Sequence, residues 1–278
     1  MNRRTFLKYA GAAAVTGAAS PIAVGAYQTT KVPVGIGLYT VRGEMANGVE
    51  ATLSKLAGMG YGEVEFAGYF DHNATDIKRI LASTGLAAPS AHVPVEVFEG
   101  DFDRALEFAY TVGHKYLILP WLQQHDRTLD RYKSIFDTLN IAGEKAKAAG
   151  MAVAYHNHEF EFETVDGEVP YDLLLARTDA ALVKLQLDLF WMDVAGQDPV
   201  AMINNQPGRV HLVHVKDRTE AGDMVSVGAG KIDFARTFAQ SENAGLKHYY
   251  VEHDNPEAPM QSAKNSINYL KKTFPRFG

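Results

Sequence analysis

The stretch Ala149-Gly150-Met151-Ala152-Val153-Ala154-Tyr155-His156-Asn157-His158 decides how this chain is read. Gly150 closes a helix-periodic, charged segment over residues 129–149, and the apolar run behind it ends on imidazoles. Strand side chains alternate between faces, so Ala152, Ala154, His156 and His158 share one side, small residues below and imidazoles above. Three later apolar runs end in the same manner, at Leu187-Asp188, His214-Val215-Lys216-Asp217 and Val251-Glu252-His253-Asp254. Parity groups Gln186 with Asp188, Leu212 with His214 and Lys216, and Tyr250 with Glu252 and Asp254.

Around this stretch, strand and helix patterns alternate from residue 32 to about 275. Short apolar runs predict strands over residues 34–38, 63–66, 86–92, 116–119, 151–156, 182–187, 209–214 and 248–252. Helical periodicity covers residues 50–59, 102–112, 129–149 and 234–243, among others, and Gly60, Gly85, Gly113, Gly150 and Gly245 stand where left-handed C-caps belong. Eight such units predict an α/β fold, a (β/α)8 TIM barrel filling residues 32–275 as one domain. A doubly wound open sheet would use the same alternation, but no Gly-x-Gly-x-x-Gly turn follows the first strand.

Residues 1–26 are read apart from the fold. Arg3-Arg4-Thr5-Phe6-Leu7-Lys8 precedes a small-residue, weakly apolar run to Val24, with Val24-Gly25-Ala26 as a cleavage site. This resembles a twin-arginine export signal, which implies the twin-arginine machinery as a partner and a periplasmic or otherwise extracytoplasmic protein. The run is too short and too rich in Ala and Gly for stable membrane insertion. Its removal takes away Arg3, Arg4 and Lys8 but no acid, moving the formal charge from −6 to −9. An acidic chain without a dense Lys/Arg run excludes nucleic acid as a partner. There is no cysteine, which excludes disulfides and thiolate metal sites. At 46% hydrophobic and 22% charged, the composition is that of a globular protein with room for a sizeable core.

In TIM-barrel enzymes the active site lies at the C-terminal ends of the strands. A single histidine or carboxylate there is more often a hydrogen-bonded core residue or a helix cap; four coincident strand ends point to a divalent metal ion. His, Asp and Glu ligands suit Mn, Mg, Co, Fe or Zn, and affinity order does not choose among them. Trp121 and Trp191, placed at the ends of the fourth and sixth strands, would form an apolar wall for a sugar ring.

Glu63-Val64-Glu65-Phe66, Ser90-Ala91-His92-Val93, Tyr155-His156-Asn157-His158, Leu187-Asp188, His214-Val215-Lys216-Asp217 and Val251-Glu252, in this order, resemble the xylose isomerase-like TIM-barrel family over residues 32–275. That family includes sugar isomerases, epimerases and inosose dehydratases. The resemblance implies one ion held by His156, Asp188, His214 and Glu252, with His156 standing where the family usually has a glutamate and His158 beside the metal. It implies Glu252 as the first base, His156 or His158 as its opposite partner, and Lys216 as stabiliser of an oxyanion or of a leaving hydroxyl. Glu65 and His92 would bind substrate hydroxyls. The expected activity is that of a sugar isomerase or epimerase working on an unphosphorylated keto sugar through an enediolate. The alternative is a lyase, an inosose dehydratase-like enzyme or one that eliminates an aglycone from a 3-keto-glycoside. A non-catalytic sugar-binding barrel is the second alternative, and a homo-oligomer is compatible with each.

Overall fold

The computed structural model describes residues 31–278; the segment read as an export signal lies outside them. Eight strands form a closed barrel: β1 (Gly35–Gly37), β2 (Glu63–Ala67), β3 (Ala87–His92), β4 (Tyr116–Leu119), β5 (Ala152–His156), β6 (Val183–Asp188), β7 (Val210–Val215) and β8 (His248–Val251). Each strand pairs in parallel with its neighbour in sequence, and β1 closes the ring on β8 through Gly35 opposite Tyr250 and Ile36 opposite Val251. This is the (β/α)8 barrel expected from the alternation. Every strand lies within two residues of its expected bounds.

The helices between the strands begin and end on the chemistry of their flanks. Asn73 and Asp101 accept the backbone N–H of Asp76 and Arg104 at the N-termini of Ala74–Thr84 and Phe102–Val112, and Gly85 and Gly113 close the same helices at positive φ. Phe102, Leu106, Ala109 and Val112 fall on one face of the second helix and are buried against the barrel. The single helix expected over residues 234–243 is two pieces, Phe234–Phe238 and Ser241–Ala244. The Ser241 hydroxyl donates to the Phe238 carbonyl at 2.5 Å and accepts from the Tyr249 hydroxyl and Arg276 at 2.8 and 2.6 Å, so a distant anchor interrupts the periodicity. Trp121 and Trp191 stand beyond the strand ends, Trp121 in the loop after β4 and Trp191 in the first turn of helix Leu189–Val194.

The barrel interior has two levels. Tyr116, Ile118, Ala154, Leu212 and Tyr250 fill the lower one as a small apolar cluster, separate from the larger core between strands and helices. Its membership follows the strand parity, since Ala154 lies two residues before His156, Leu212 two before His214, and Tyr250 two before Glu252. The sequence Gly35-Ile36-Gly37 makes room for it. A Cβ on Gly35 would run into the Tyr250 ring, and one on Gly37 would lie 2.8 Å from Glu252 Oε1. Among the described residues no helix is long and apolar enough to cross a membrane.

Candidate active site

Above the apolar level, polar side chains from β2, β3, β5, β6, β7 and β8 meet in the barrel mouth. Register sets their heights: His156 pairs with Gln186, Asp188 with His214 and Ala67 with His92. Asp188 Oδ1 caps the following helix by accepting the N–H groups of Phe190 and Trp191, both at 3.0 Å. Its Oδ2 is buried 2.9 Å from the Lys216 ammonium, 3.5 Å from His156 Nε2 and 3.9 Å from His214 Nδ1. Glu252 Oε2 lies 2.5 Å from the same Nδ1. Asp188, His214 and Glu252 thus offer three ligand atoms to one point, and a second trio, His92, His156 and His214, shares His214 with it.

Their outer partners decide which nitrogen faces that point. Gln186 donates its amide N–H to Glu65 Oε2 at 2.7 Å, so its Oε1 accepts from His92 Nε2 at 2.8 Å and from His156 Nδ1 at 3.0 Å. Burial, together with the nearby His214, His158, His92 and Lys216, lowers the His156 pKa well below the usual histidine range. The ring is neutral, carries its proton on Nδ1 and turns the Nε2 lone pair toward Asp188. His214 gives Nε2–H to Glu65 Oε1 at 2.5 Å, leaving Nδ1 for the cluster. Burial opposes a charge on His214, but Glu252 and Glu65 on its two sides outweigh it and raise its pKa to about 10. A divalent cation at Nδ1 would replace that proton. Burial alone would raise the Glu65 pKa, yet His92 and His214 hold it well below the carboxylate range.

This donor set fits a divalent ion: buried carboxylate oxygens and imidazole nitrogens converge, their charge now balanced by the Lys216 ammonium and the His214 proton, and each imidazole is oriented by an amide or a carboxylate on its far nitrogen. Glu65 is itself buried and shared among His92, Ser90, Gln186 and His214, so it lies beneath the cavity rather than on its wall. Gln186 belongs to no motif, and only its shared parity with Asp188 points inward; Ser90 opens the Ser90-Ala91-His92-Val93 run, which by itself gives it no role. Replacing Gln186 with Leu frees His156 to turn and is expected to weaken metal binding about 10–100-fold, as measured by competition with a chelator.

Lys216 completes the cluster. Its ammonium lies 2.9 Å from Asp188 Oδ2, 3.0 Å from Glu252 Oε2 and 2.8 Å from Asp254 Oδ1. Burial would lower its pKa, but these carboxylates outweigh it and keep the amine charged. The same two groups, His214 and Lys216, hold the Glu252 carboxyl far below its usual range against the effect of burial. Asp217, next in the motif, turns away from the site and binds the loop beyond β7, accepting the N–H groups of Arg218, Gly228, Gly230 and Ile232.

His158 stands two residues past β5. Its ring stacks on Phe160 at 5.5 Å and lies 5.4 Å from Trp191, and its Nδ1 is buried without a partner. Glu161 fixes the turn by accepting the His158 N–H at 2.7 Å and the Tyr155 hydroxyl at 2.9 Å. Burial pushes the Glu161 carboxyl up from 4.5 to about 8, in spite of those two hydrogen bonds. A carboxyl raised on folding contributes stability that is complete below pH 4.5 and is lost as pH rises through about 8. Chemical denaturation should show that loss, at up to about 1.4 kcal/mol per pH unit, and Glu161→Gln should remove most of the slope.

Every strand end contributes to the cavity above this cluster, which has a volume of about 780 Å³. Tyr39, Gly68, Pro94, Trp121, Arg127 and Phe160 line it with His92, His156, His158, Trp191, Lys216, Glu252 and Asp254. Residues 53–273 match the family described as xylose isomerase-like TIM barrel. An inosose dehydratase of Geobacillus thermodenitrificans is 24% identical over 267 residues, spanning 81% of this chain and 89% of the relative. A crystal structure of a sugar phosphate isomerase/epimerase from Parabacteroides distasonis superposes with a TM-score of 0.79 at 26% identity, covering 92% of this chain and 98% of the other. The IOLI protein, solved with a bound zinc atom, shares the fold at a TM-score of 0.69 and 17% identity, covering 87% and 99%. Barrel topology, strand-end cluster and family match agree, and the chain belongs to the xylose isomerase-like TIM-barrel family.

Proposed function

We propose that this chain is a metal-dependent carbon–oxygen lyase, removing a proton next to the carbonyl of a keto sugar or keto polyol and expelling the oxygen substituent one carbon further on. One observation carries the choice of lyase over epimerase: of the imidazoles that line the cavity, His158 alone has no hydrogen-bond partner. His158 Nδ1 has no partner, whereas Glu252 is clamped between His214 and Lys216 and His156 is tied to Gln186. An epimerase needs a proton carrier on each face of the carbon; an elimination needs one base and one acid. The inosose dehydratase relatives are named for an elimination.

His156, Asp188, His214 and Glu252 would hold the ion, which would polarise the carbonyl and acidify the adjacent C–H. The sequence alone does not choose Mn, Mg, Co, Fe or Zn; zinc in the IOLI structure makes it the first ion to test. His158 takes the proton from carbon. The C–H electrons form the new double bond as the C–O bond breaks, and the departing oxygen leaves with a proton from Lys216 or from the His158 imidazolium. His92, whose ring faces both His156 and His214 at 5.3 Å, would contact the substrate from the β3 side. We place the enzyme outside the cytoplasm, on the reading of residues 1–26 as a twin-arginine leader.

The isomerase/epimerase reading keeps support from the name of the Parabacteroides relative. Incubating inososes and 3-keto sugars with the metal-loaded protein in deuterated water separates the two. A product that has lost water or an alcohol establishes the lyase; solvent deuterium in a product of unchanged composition establishes the epimerase and overturns the proposal.

A further inference from the structure

We propose that the natural substrate has two rings: a reacting sugar ring on the polar floor, and a second, uncharged ring whose flat apolar face packs against Trp121 at the rim. This rests on the floor being the reaction site.

Size is the first argument. Pockets of roughly 300–1,000 Å³ hold drug-sized ligands, and a lone hexose of about 12 non-hydrogen atoms belongs at the bottom of that range. The cavity here has about 780 Å³, well beyond one ring.

The lining is the second. The floor is polar and almost fully buried, with Lys216 at 2% exposure and Glu252 at 4%, whereas Trp121 and Tyr39 at the rim are 42% and 41% exposed. Of the five large apolar side chains left exposed among the described residues, these two stand at one opening. Exposed aromatic area at a cavity mouth is a feature of ligand sites. The wall is also ordered before anything binds. The Arg127 guanidinium lies 3.4 Å over the Phe160 ring and 5.1 Å from the Trp121 ring centre, and its Nε donates to the Leu122 carbonyl at 3.0 Å. A stacked, pinned aromatic surface loses little freedom on binding.

Charge is the third. Arg127 is the one cation of the rim lining, and its face is used in stacking, while the floor beneath is rich in carboxylates. No cluster of donors there would receive a phosphate. The second group is therefore an uncharged ring, either an aryl aglycone or a second pyranose, both of which stack on indole.

Calorimetric titration of the metal-loaded protein distinguishes these. The probes are 3-keto-glucose, its 4-nitrophenyl glycoside and a 3-keto-disaccharide, each against wild type and Trp121→Ala. The expected result is that at least one two-ring probe binds about tenfold or more tighter than the single ring, and that Trp121→Ala removes the advantage by weakening the two-ring probe far more than the single ring. Whichever probe gains identifies the ring. Equal affinity of one-ring and two-ring probes, or equal weakening of both by the substitution, overturns the proposal. A two-ring probe that binds through Trp121 but is not eliminated supports this inference and refutes the lyase reading; no binding by any probe refutes both.

Discussion

Asp188→Asn protein, purified beside the wild type, is expected to hold less than about a hundredth of the wild-type metal affinity and to lose turnover by about 10³-fold or more, with a melting temperature lowered by the lost pair to Lys216 but less than in Asp188→Ala. The two oxygens of this side chain have separate tasks. Oδ1 caps helix Leu189–Val194 through Phe190 and Trp191, and Oδ2 faces His156, His214 and Lys216. Asparagine retains the capping oxygen, and Asn and Asp cap almost equally well. It replaces the ligand oxygen with an N–H₂ group that cannot bind a cation and that faces a lysine ammonium. Asp188→Ala would remove both functions and cost about 1 kcal/mol through the cap alone, confusing metal loss with destabilisation. Metal content by plasma emission and melting temperature, taken on one preparation, give the answer. An Asp188→Asn protein with full metal content at wild-type affinity would remove the ligand set from consideration.

The parts of this site that were legible in the sequence depend on the neighbours along one strand; those that were not depend on distance across the barrel. Period-two alternation above small residues placed His156, and the same parity placed Asp188, His214 and Glu252, because side-chain direction in a strand is a local property. Glu65 was legible as an inward residue at a strand end. Its use was not, since its partner His214 is 149 positions away on the opposite side of the ring. Ser90, which joins Glu65 to the Tyr250 hydroxyl at 2.6 and 2.8 Å, is hidden for the same reason. The Gly35 and Gly37 pair reads as an unremarkable strand start until Tyr250 and Glu252 are seen to fill the space they leave. The break at Ser241 likewise has its cause in Tyr249 and Arg276, outside any helical window. Lys216 and Asp217 show the limit of a motif: adjacent residues of one tetrapeptide, they face opposite ways, one into the carboxylate cluster and the other into the loop it secures.

His158→Gln should separate the chemistry from the metal. The substitution is expected to reduce kcat by about 10²–10⁴-fold, the usual contribution of a positioned general base, with metal content unchanged. The residue touches no ligand of the cluster by hydrogen bond; its ring is held by Phe160 and Trp191, and its backbone by Glu161. Burial first, and then the Lys216 ammonium, favour its neutral form, which is the form that accepts a proton. Glutamine keeps the volume and polarity of imidazole but has no basic lone pair, so binding of the keto substrate should change by less than about threefold while proton removal fails. Washout of a deuterium label next to the carbonyl measures that step directly, independent of whether an oxygen is later expelled. If His158→Gln exchanges the label at the wild-type rate, the base is another group, with a displaced Glu252 first in line. If exchange and turnover fall together while metal and binding persist, His158 is the base. Loss of metal in His156→Gln but not in His158→Gln would then assign the two imidazoles of Tyr155-His156-Asn157-His158 to different work, the first on the ion and the second on the substrate.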